Sequence, residues 1–248
     1  MEDTNKKITR RKALGMLAAV GAATVVGCSS ANVSGASGSG TTGTTTTTSS
    51  SSSASCVLTP GLTIGPYFVD ENLNRSDLTS NTSDTNVTQG VPLGLQLTIV
   101  KFSSSGCNAL QSAQVDVWHA DAGGVYSDEA VENTVGQTYL RGYQITDSNG
   151  QVSFKTIYPG WYSGRTVHIH VMVRTFSSSG AVASETTTQL FFDDSLTDQV
   201  FANAPYNSRG QRNTRNSQDS IYNSATQLSL QTSGSGYVSA ITIGIQTA

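Results

Sequence analysis

Thr166-Val167-His168-Ile169-His170-Val171-Met172-Val173-Arg174-Thr175 alternates residue by residue. Successive side chains of a strand point to opposite faces, so Val167, Ile169, Val171 and Val173 form one apolar stripe. His168 and His170 share the other face, roughly 7 Å apart along the strand. Two of the chain's three histidines therefore stand side by side on a surface backed by core. Imidazole is the commonest metal ligand, and a pair at this spacing can converge on one ion.

The flanking sequence adds candidate donors. Upstream lies Thr156-Ile157-Tyr158-Pro159-Gly160-Trp161-Tyr162-Ser163-Gly164-Arg165, a stretch whose glycines and proline predict a loop leading into the strand. Tyr158 and Tyr162 are both candidate phenol ligands, and Arg165 is a fixed cation beside them. Further upstream, Val115, Val117 and His119 alternate with Asp116 and Trp118, which predicts another strand. It runs into Gly123-Gly124, a turn that presents Tyr126.

These segments resemble the intradiol ring-cleaving dioxygenases, among them the catechol and protocatechuate dioxygenases. The family carries D/E-V-W-x-A-(N/D)-x-x-G-x-Y, then P-x-x-Y, then R-x-x-H-(I/V)-H. Here stand Asp116-Val117-Trp118-His119-Ala120-Asp121, Gly124-Val125-Tyr126, Pro159-Gly160-Trp161-Tyr162 and Arg165-Thr166-Val167-His168-Ile169-His170. Thr63-Ile64-Gly65-Pro66-Tyr67-Phe68 looks like the family's N-terminal T-x-G-P-Y segment. Thr188-Gln189-Leu190-Phe191-Phe192 looks like its strand with an active-site glutamine. Taken singly, Tyr126 reads as a hairpin tyrosine and Arg165 as a surface cation; five motifs in family order over about residues 58–222 read otherwise.

The resemblance implies a non-haem Fe(III) centre held by Tyr126, Tyr162, His168 and His170. Tyr162 is preferred to Tyr158 because it lies three residues after the proline, as in the family. Arg165 matches the active-site arginine and Gln189 the active-site glutamine, with Pro66 and Tyr67 on the substrate side. One departure is the spacing: only Ser163 and Gly164 separate Tyr162 from Arg165, where the family usually has a longer insertion. The shorter loop implies a more open pocket, suited to bulkier, alkylated or lignin-derived catechols. His119 falls at a position where the family varies and is read as structural, facing a neighbouring strand. Tyr143, Tyr206 and Tyr222 are read as packing residues.

The donor set suits ferric iron. A hard, highly charged ion favours anionic oxygen donors and drives a phenol of ordinary pKa near 10 toward phenolate. The metal activates and templates a bidentate catecholate, which in the family reacts directly with O2 and opens between its two hydroxylated carbons. Tyr162 is expected to accept a substrate proton, and Arg165 to stabilise charge developing on the ring.

The N-terminus has another character. Residues 1–28 read as an export signal: Thr9-Arg10-Arg11-Lys12 is a twin-arginine pattern, and Ala13 to Val26 is an apolar run shorter than the ~20 residues of a membrane-spanning helix. Val26-Gly27-Cys28 resembles a bacterial lipobox, making Cys28 the lipidation candidate and a lipid the expected membrane anchor. Residues 29–55 are almost wholly Ser, Thr, Gly and Ala, a flexible linker with a mean reach of roughly 30 Å. Cys56 and Cys107 remain as an even pair in an exported chain, for which a disulfide is the default.

Residues 56–248 suit a single catalytic domain. Strand signals at Leu93–Phe102, Gln114–His119, Tyr139–Thr146, Gln151–Ile157, Thr166–Phe176, Thr186–Phe192 and Tyr237–Gln246 predict an all-β, antiparallel β-sandwich, with one short helix at Ser195–Ala202. Catechol dioxygenases' helical N-terminal dimerisation region is expected to have no counterpart. Beyond residue 28 the chain carries nine Lys and Arg against fifteen Asp and Glu, a net charge of −6. With no basic stripe, nucleic acid is excluded as a partner. The expected partners are a small aromatic diol and O2. Two rivals are a non-enzymatic sandwich module that keeps the metal, and a carbohydrate-binding lipoprotein; the latter needs an exposed aromatic platform, yet both tryptophans lie within the metal motifs.

Overall fold

Two β-sheets face each other across one hydrophobic core in the computed structural model, which describes residues 56–84 and 86–247. The export signal, Cys28 and the 29–55 linker lie outside the described residues. In chain order the strands are β1 (Pro92–Ser103), β2 (Gly106–Ala109), β3 (Gln114–Trp118), β4 (Arg141–Ile145), β5 (Gln151–Ile157), β6 (His168–Phe176), β7 (Val182–Phe191), β8 (Gln231–Ser233) and β9 (Gly236–Ile245). Among the described residues a single α-helix, α1 (Asp194–Phe201), follows β7; the Asp193 side chain accepts from Leu196 N at 2.9 Å and caps it.

The first sheet runs β2-β1-β9-β8, with β5 sharing the β2 edge of β1. The second runs β4-β3-β6-β7 and is antiparallel throughout. One pairing departs from the expected antiparallel pattern: β1 and β9, which are far apart in sequence, lie parallel from Leu93↔Tyr237 to Lys101↔Ile245. Period-two apolarity shows which face is buried but says nothing about strand direction, so the sequence carries no signal for it. The strands β2 and β8 are additions to the expected set. Their sequences, GCNA and QTS, lack an apolar alternation and hold their places by pairing with β1 and β9.

The core is built from the inward stripes. Leu93, Leu95, Leu97 and Ile99 of β1, Val152 and Phe154 of β5, and Ile243 and Ile245 of β9 meet Val115, Val117, Ile169, Val171, Val173 and Leu190 from the other sheet. Each such side chain contributes about 1.5–3 kcal/mol on burial, so the alternation locks both the strands and their register.

The opposite face of the second sheet is not solvated. In register across it stand Arg141, Trp118, His170 and Gln189, from β4, β3, β6 and β7 in turn. Residues 62–78 cross this face as a strap. Leu62 N donates to Thr187 O at one end, and Arg75 N and Leu78 N donate to Tyr143 O and Lys155 O at the other. Between them, Ile64, Tyr67 and Phe68 pack on Trp118, Tyr126 and Met172. Arg174 on the same face holds Asp116 at 2.9 Å and Asp70 of the strap at 2.7 Å. The strap's N-terminal approach is joined to β2 by a disulfide between Cys56 and Cys107, with Cα atoms 5.4 Å apart.

Candidate metal centre

His168 and His170 project from β6 under the strap, and their Nε2 atoms face each other at 3.1 Å. His168 Nδ1 lies 2.6 Å from the carbonyl of Thr166, to which it donates. That bond fixes the tautomer, so the Nε2 lone pair points into the cluster. Three groups crowd this one atom: His170 Nε2, the Tyr162 hydroxyl at 3.2 Å and Arg165 Nη1 at 3.4 Å. His170 is held by stacking on the Trp118 indole, 4.8 Å between centroids and 7° from parallel. Gly65 of the strap lies close against the same ring, where a Cβ would stand 3.1 Å from His170 Cε1.

The two phenols arrive from loops that fit together through glycines. Tyr126 follows a turn closed by Asp121, whose carboxylate accepts from Gly123 N and Val125 N. Tyr162 follows Pro159-Gly160. Gly124 has φ +80°, and a Cβ there would stand 2.0 Å from Trp161 O; a Cβ on Gly160 would stand 2.4 Å from Asp121 O. Only glycine permits this approach of one backbone to the other, and it seats both tyrosines over the histidines. Their rings lie 5.8 Å apart, and Tyr67 stacks on Tyr126 at 4.4 Å.

Burial sets the protonation states. It holds both imidazoles neutral, with His168 lowered to about 3 and His170 well below its usual value, the nearby Arg165 charge adding to the effect in each. Burial also raises both phenols; Tyr126 is pushed well above 10, with Tyr162 the next cause. The Tyr126 hydroxyl is buried without a hydrogen-bond partner. An orphaned phenol whose ring lies 5.8 Å from that of Tyr162 and 6.4 Å from that of His170, a second phenol and two neutral imidazoles fit a hard cation, which would satisfy all four and reverse the cost of ionising the phenols. Among the described residues no group of three or more His, Cys, Asp and Glu takes metal-holding positions.

The other residues singled out from the sequence divide. Gln189 is fully buried and bridges two elements: its amide NH2 donates to Thr63 O of the strap at 2.8 Å, and its Oε1 accepts from Arg165 Nη2. Tyr67 forms a wall of the site, edge-on to Tyr162 at 5.8 Å. Pro66 is exposed on the strap between Gly65 and Tyr67. Tyr158, the other phenol left open by the loop sequence, is buried elsewhere, its hydroxyl 2.7 Å from Thr197 Oγ1. His119 donates to Ala120 O and accepts from Thr156 Oγ1 of β5, a structural role between strands. Tyr206 is more than packing: its hydroxyl donates to Tyr158 O and accepts from Val91 N.

A family profile described as "Dioxygenase" matches residues 63–227, most of the described chain, a range that includes Tyr126, Tyr162, Arg165, His168, His170 and Gln189. The chain belongs to the intradiol ring-cleavage dioxygenases. Among solved members, an intradiol ring-cleavage dioxygenase from Tetranychus urticae is 28% identical, covering 77% of this chain and 95% of that one with a TM-score of 0.64. The dioxygenase domain of a dioxygenase carbohydrate-binding protein fusion from the cellulolytic bacterium Streptomyces sp. SirexAA-E is 29% identical, covering 77% and 100%, with a TM-score of 0.56. The 3-chlorocatechol 1,2-dioxygenase of Rhodococcus opacus 1CP, 21% identical over 77% and 73% with a TM-score of 0.54, shares the fold. No curated protein matches the chain.

Sequence reasoning missed what backs the intradiol dioxygenase site. Asp219 accepts from Arg165 Nε and Thr166 N, both at 2.9 Å, and from Ile221 N at 2.8 Å. Burial pushes its carboxyl up, but these donors outweigh burial and hold it below the usual range. Asp219 lies 54 residues from Arg165 in no motif, so no signal in a single sequence points to it.

Proposed function

We propose that the protein is an exported, membrane-tethered Fe(III) intradiol dioxygenase. It would cleave a catechol-type aromatic between its two hydroxylated carbons and incorporate both atoms of O2. The observation that carries this reading is the clustering of four side chains, Tyr126, Tyr162, His168 and His170, with the Tyr126 ring beside those of Tyr162 and His170 and its hydroxyl otherwise unsatisfied. Ferric iron held there would act as a Lewis acid and template for the bound diol.

The chain's own groups have separable tasks. Thr166 O holds the proton on His168 Nδ1 and so keeps Nε2 available as a donor. Tyr162, half-buried on a loop whose next two residues are exposed, is the less enclosed phenol; held as phenolate by the bound cation, it would take one substrate hydroxyl proton at its Oη. Tyr126, wholly buried and stacked on Tyr67, stays in place. Arg165 Nη1 faces the reacting ring and meets the charge that develops there. Gln189 orients Arg165, and the strap, through Ile64, Tyr67 and Phe68, keeps water from the buried side of the site.

The short turn at Ser163-Gly164, both exposed, supports an open mouth and a bulky, alkylated or lignin-derived catechol. The twin-arginine pattern and Cys28 support export with a lipid anchor. Cys28→Ser should release the protein from the membrane fraction, and unchanged fractionation would show the anchor reading wrong.

The direct test is the optical spectrum of iron-loaded protein with and without a catechol. Tyrosinate-to-iron charge transfer should give a visible band that shifts on adding the diol, followed by oxygen uptake and ring-opened product. A coloured, catechol-responsive protein that opens no catechol ring would favour a binding module.

A further inference from the structure

The backbone on the N-terminal side of Arg165 is poorly constrained. Ser163 and Gly164 before it are exposed, Gly164 has φ +87° with open space around it, and Arg165 N reaches Tyr162 O only at 3.5 Å. Its side chain is nevertheless held at two of three nitrogens. Nε donates to Asp219, Nη2 donates to Gln189, and Nη1 is left 3.4 Å from His168 Nε2. Two anchors on different edges of a planar fork fix both its position and its plane. The anchors are unlike: Gln189 belongs to the sheet that carries the histidines, whereas Asp219 comes from a separate segment.

Asp219 does not depend on Arg165 for its own placement. Two backbone N–H groups, Ile221 N and Thr166 N, bind it. Three residues earlier, Asn216 accepts from Thr166 Oγ1 at 2.6 Å and donates to Phe192 O at 2.7 Å. The Asp219 side chain is 2% exposed and that of Arg165 14%. A fixed, buried carboxylate holding a guanidinium that its own loop leaves free is an alignment device rather than a surface ion pair.

We propose that Asp219 is the positioning residue for Arg165, setting the direction in which Nη1 faces the substrate. This rests on the reading of Arg165 as the group that stabilises charge on the reacting ring. Two modes of action predict opposite signs. If Arg165 worked by charge alone, neutralising Asp219 would unmask its cation and hold or raise turnover. If it works by placement, the same change lets the fork swing and lowers turnover, since about 1 Å of misplacement costs on the order of a hundredfold.

The test is a double-mutant cycle of Asp219→Asn and Arg165→Gln in the iron-loaded enzyme, with iron content and thermal unfolding measured in each variant. Asparagine keeps an oxygen acceptor for the backbone. Asp219→Asn should lower kcat roughly ten- to hundredfold with KM within about twofold, and should cost nothing further in the Arg165→Gln background. Additive losses, or unchanged or raised kcat, would overturn the proposal. Near-normal turnover in Arg165→Gln alone would sink the role of Arg165, and this proposal with it. A readout independent of turnover is the 15N-labelled Arg165 Nε–H in the metal-free protein, assigned by its loss in Arg165→Gln. It should exchange slowly, and quickly in Asp219→Asn. Exchange in the unmutated protein as fast as at Arg215, whose side chain is 48% exposed, would refute the anchoring. That measurement carries the test if the asparagine variant does not fold.

Discussion

His168 and His170 are neutral because they are buried beside a cation, and neutral imidazole is the form that offers a lone pair. Their convergence is legible in the sequence, because strand alternation alone puts both on one face. On the proposed reading each is one of four iron donors, so His168→Ala or His170→Ala should lose most bound iron by metal analysis; full occupancy in both would refute the donor assignment. Arg165 is proposed to act on the chemistry rather than on the metal. Arg165→Gln should keep iron, colour and the spectral shift with catechol, while turnover falls roughly two to three orders of magnitude, the usual cost of losing one preorganised charge stabiliser. Oxygen uptake measures this. What the sequence hides at this scale is Asp219, because an anchor reaching Arg165 from 54 residues away leaves no local pattern.

At the level of elements, legibility follows the strength of the apolar period. The strands β1, β5 and β6 alternate over seven or more residues and are readable nearly to their ends; β2 and β8 exist through pairing and are not. The strap over residues 62–78 can be seen as a motif but not as a cover, since its position depends on Gln189, Arg174 and Trp118 from three strands. The loops bearing Tyr126 and Tyr162 depend on a contact that two glycines allow. Gly124 and Gly180 both have φ +80°, but a Cβ meets Trp161 O at 2.0 Å in the first and nothing within 4 Å in the second. Gly180→Ala should therefore cost only the left-handed backbone penalty of about 1–2 kcal/mol. Gly124→Ala should cost clearly more and also weaken iron binding, because the Tyr126 turn must move off the Tyr162 loop. Equal losses in thermal unfolding, with iron retained in both, would show that this contact does not set the site.

Across the whole molecule, the sandwich places its apolar stripes between the sheets and its chemistry on the outer face of one sheet, sealed by the strap. That arrangement leaves polar groups buried on both sides of the second sheet, and their ionisation couples acidity to folding. His119 is the case remote from the centre: it is 1% exposed, with both ring nitrogens bonded, and burial lowers it from 6.5 to about 4. The folded state then holds this imidazole neutral while the unfolded chain protonates near pH 6.5, so the unfolded state binds more protons between those values. The contribution is fully present above pH 6.5 and is lost as pH falls toward 4, amounting to about 3 kcal/mol at 1.36 kcal/mol per pH unit. His119→Gln retains hydrogen-bonding capacity at the site but cannot titrate. Denaturant unfolding of both proteins from pH 7 to pH 4 isolates the group, because His168, His170 and every carboxylate are common to the two. The advantage of the unmutated protein should shrink, or reverse, across that window. A difference in stability that stays constant with pH would mean that His119 is protonated as readily in the folded protein as in the unfolded one.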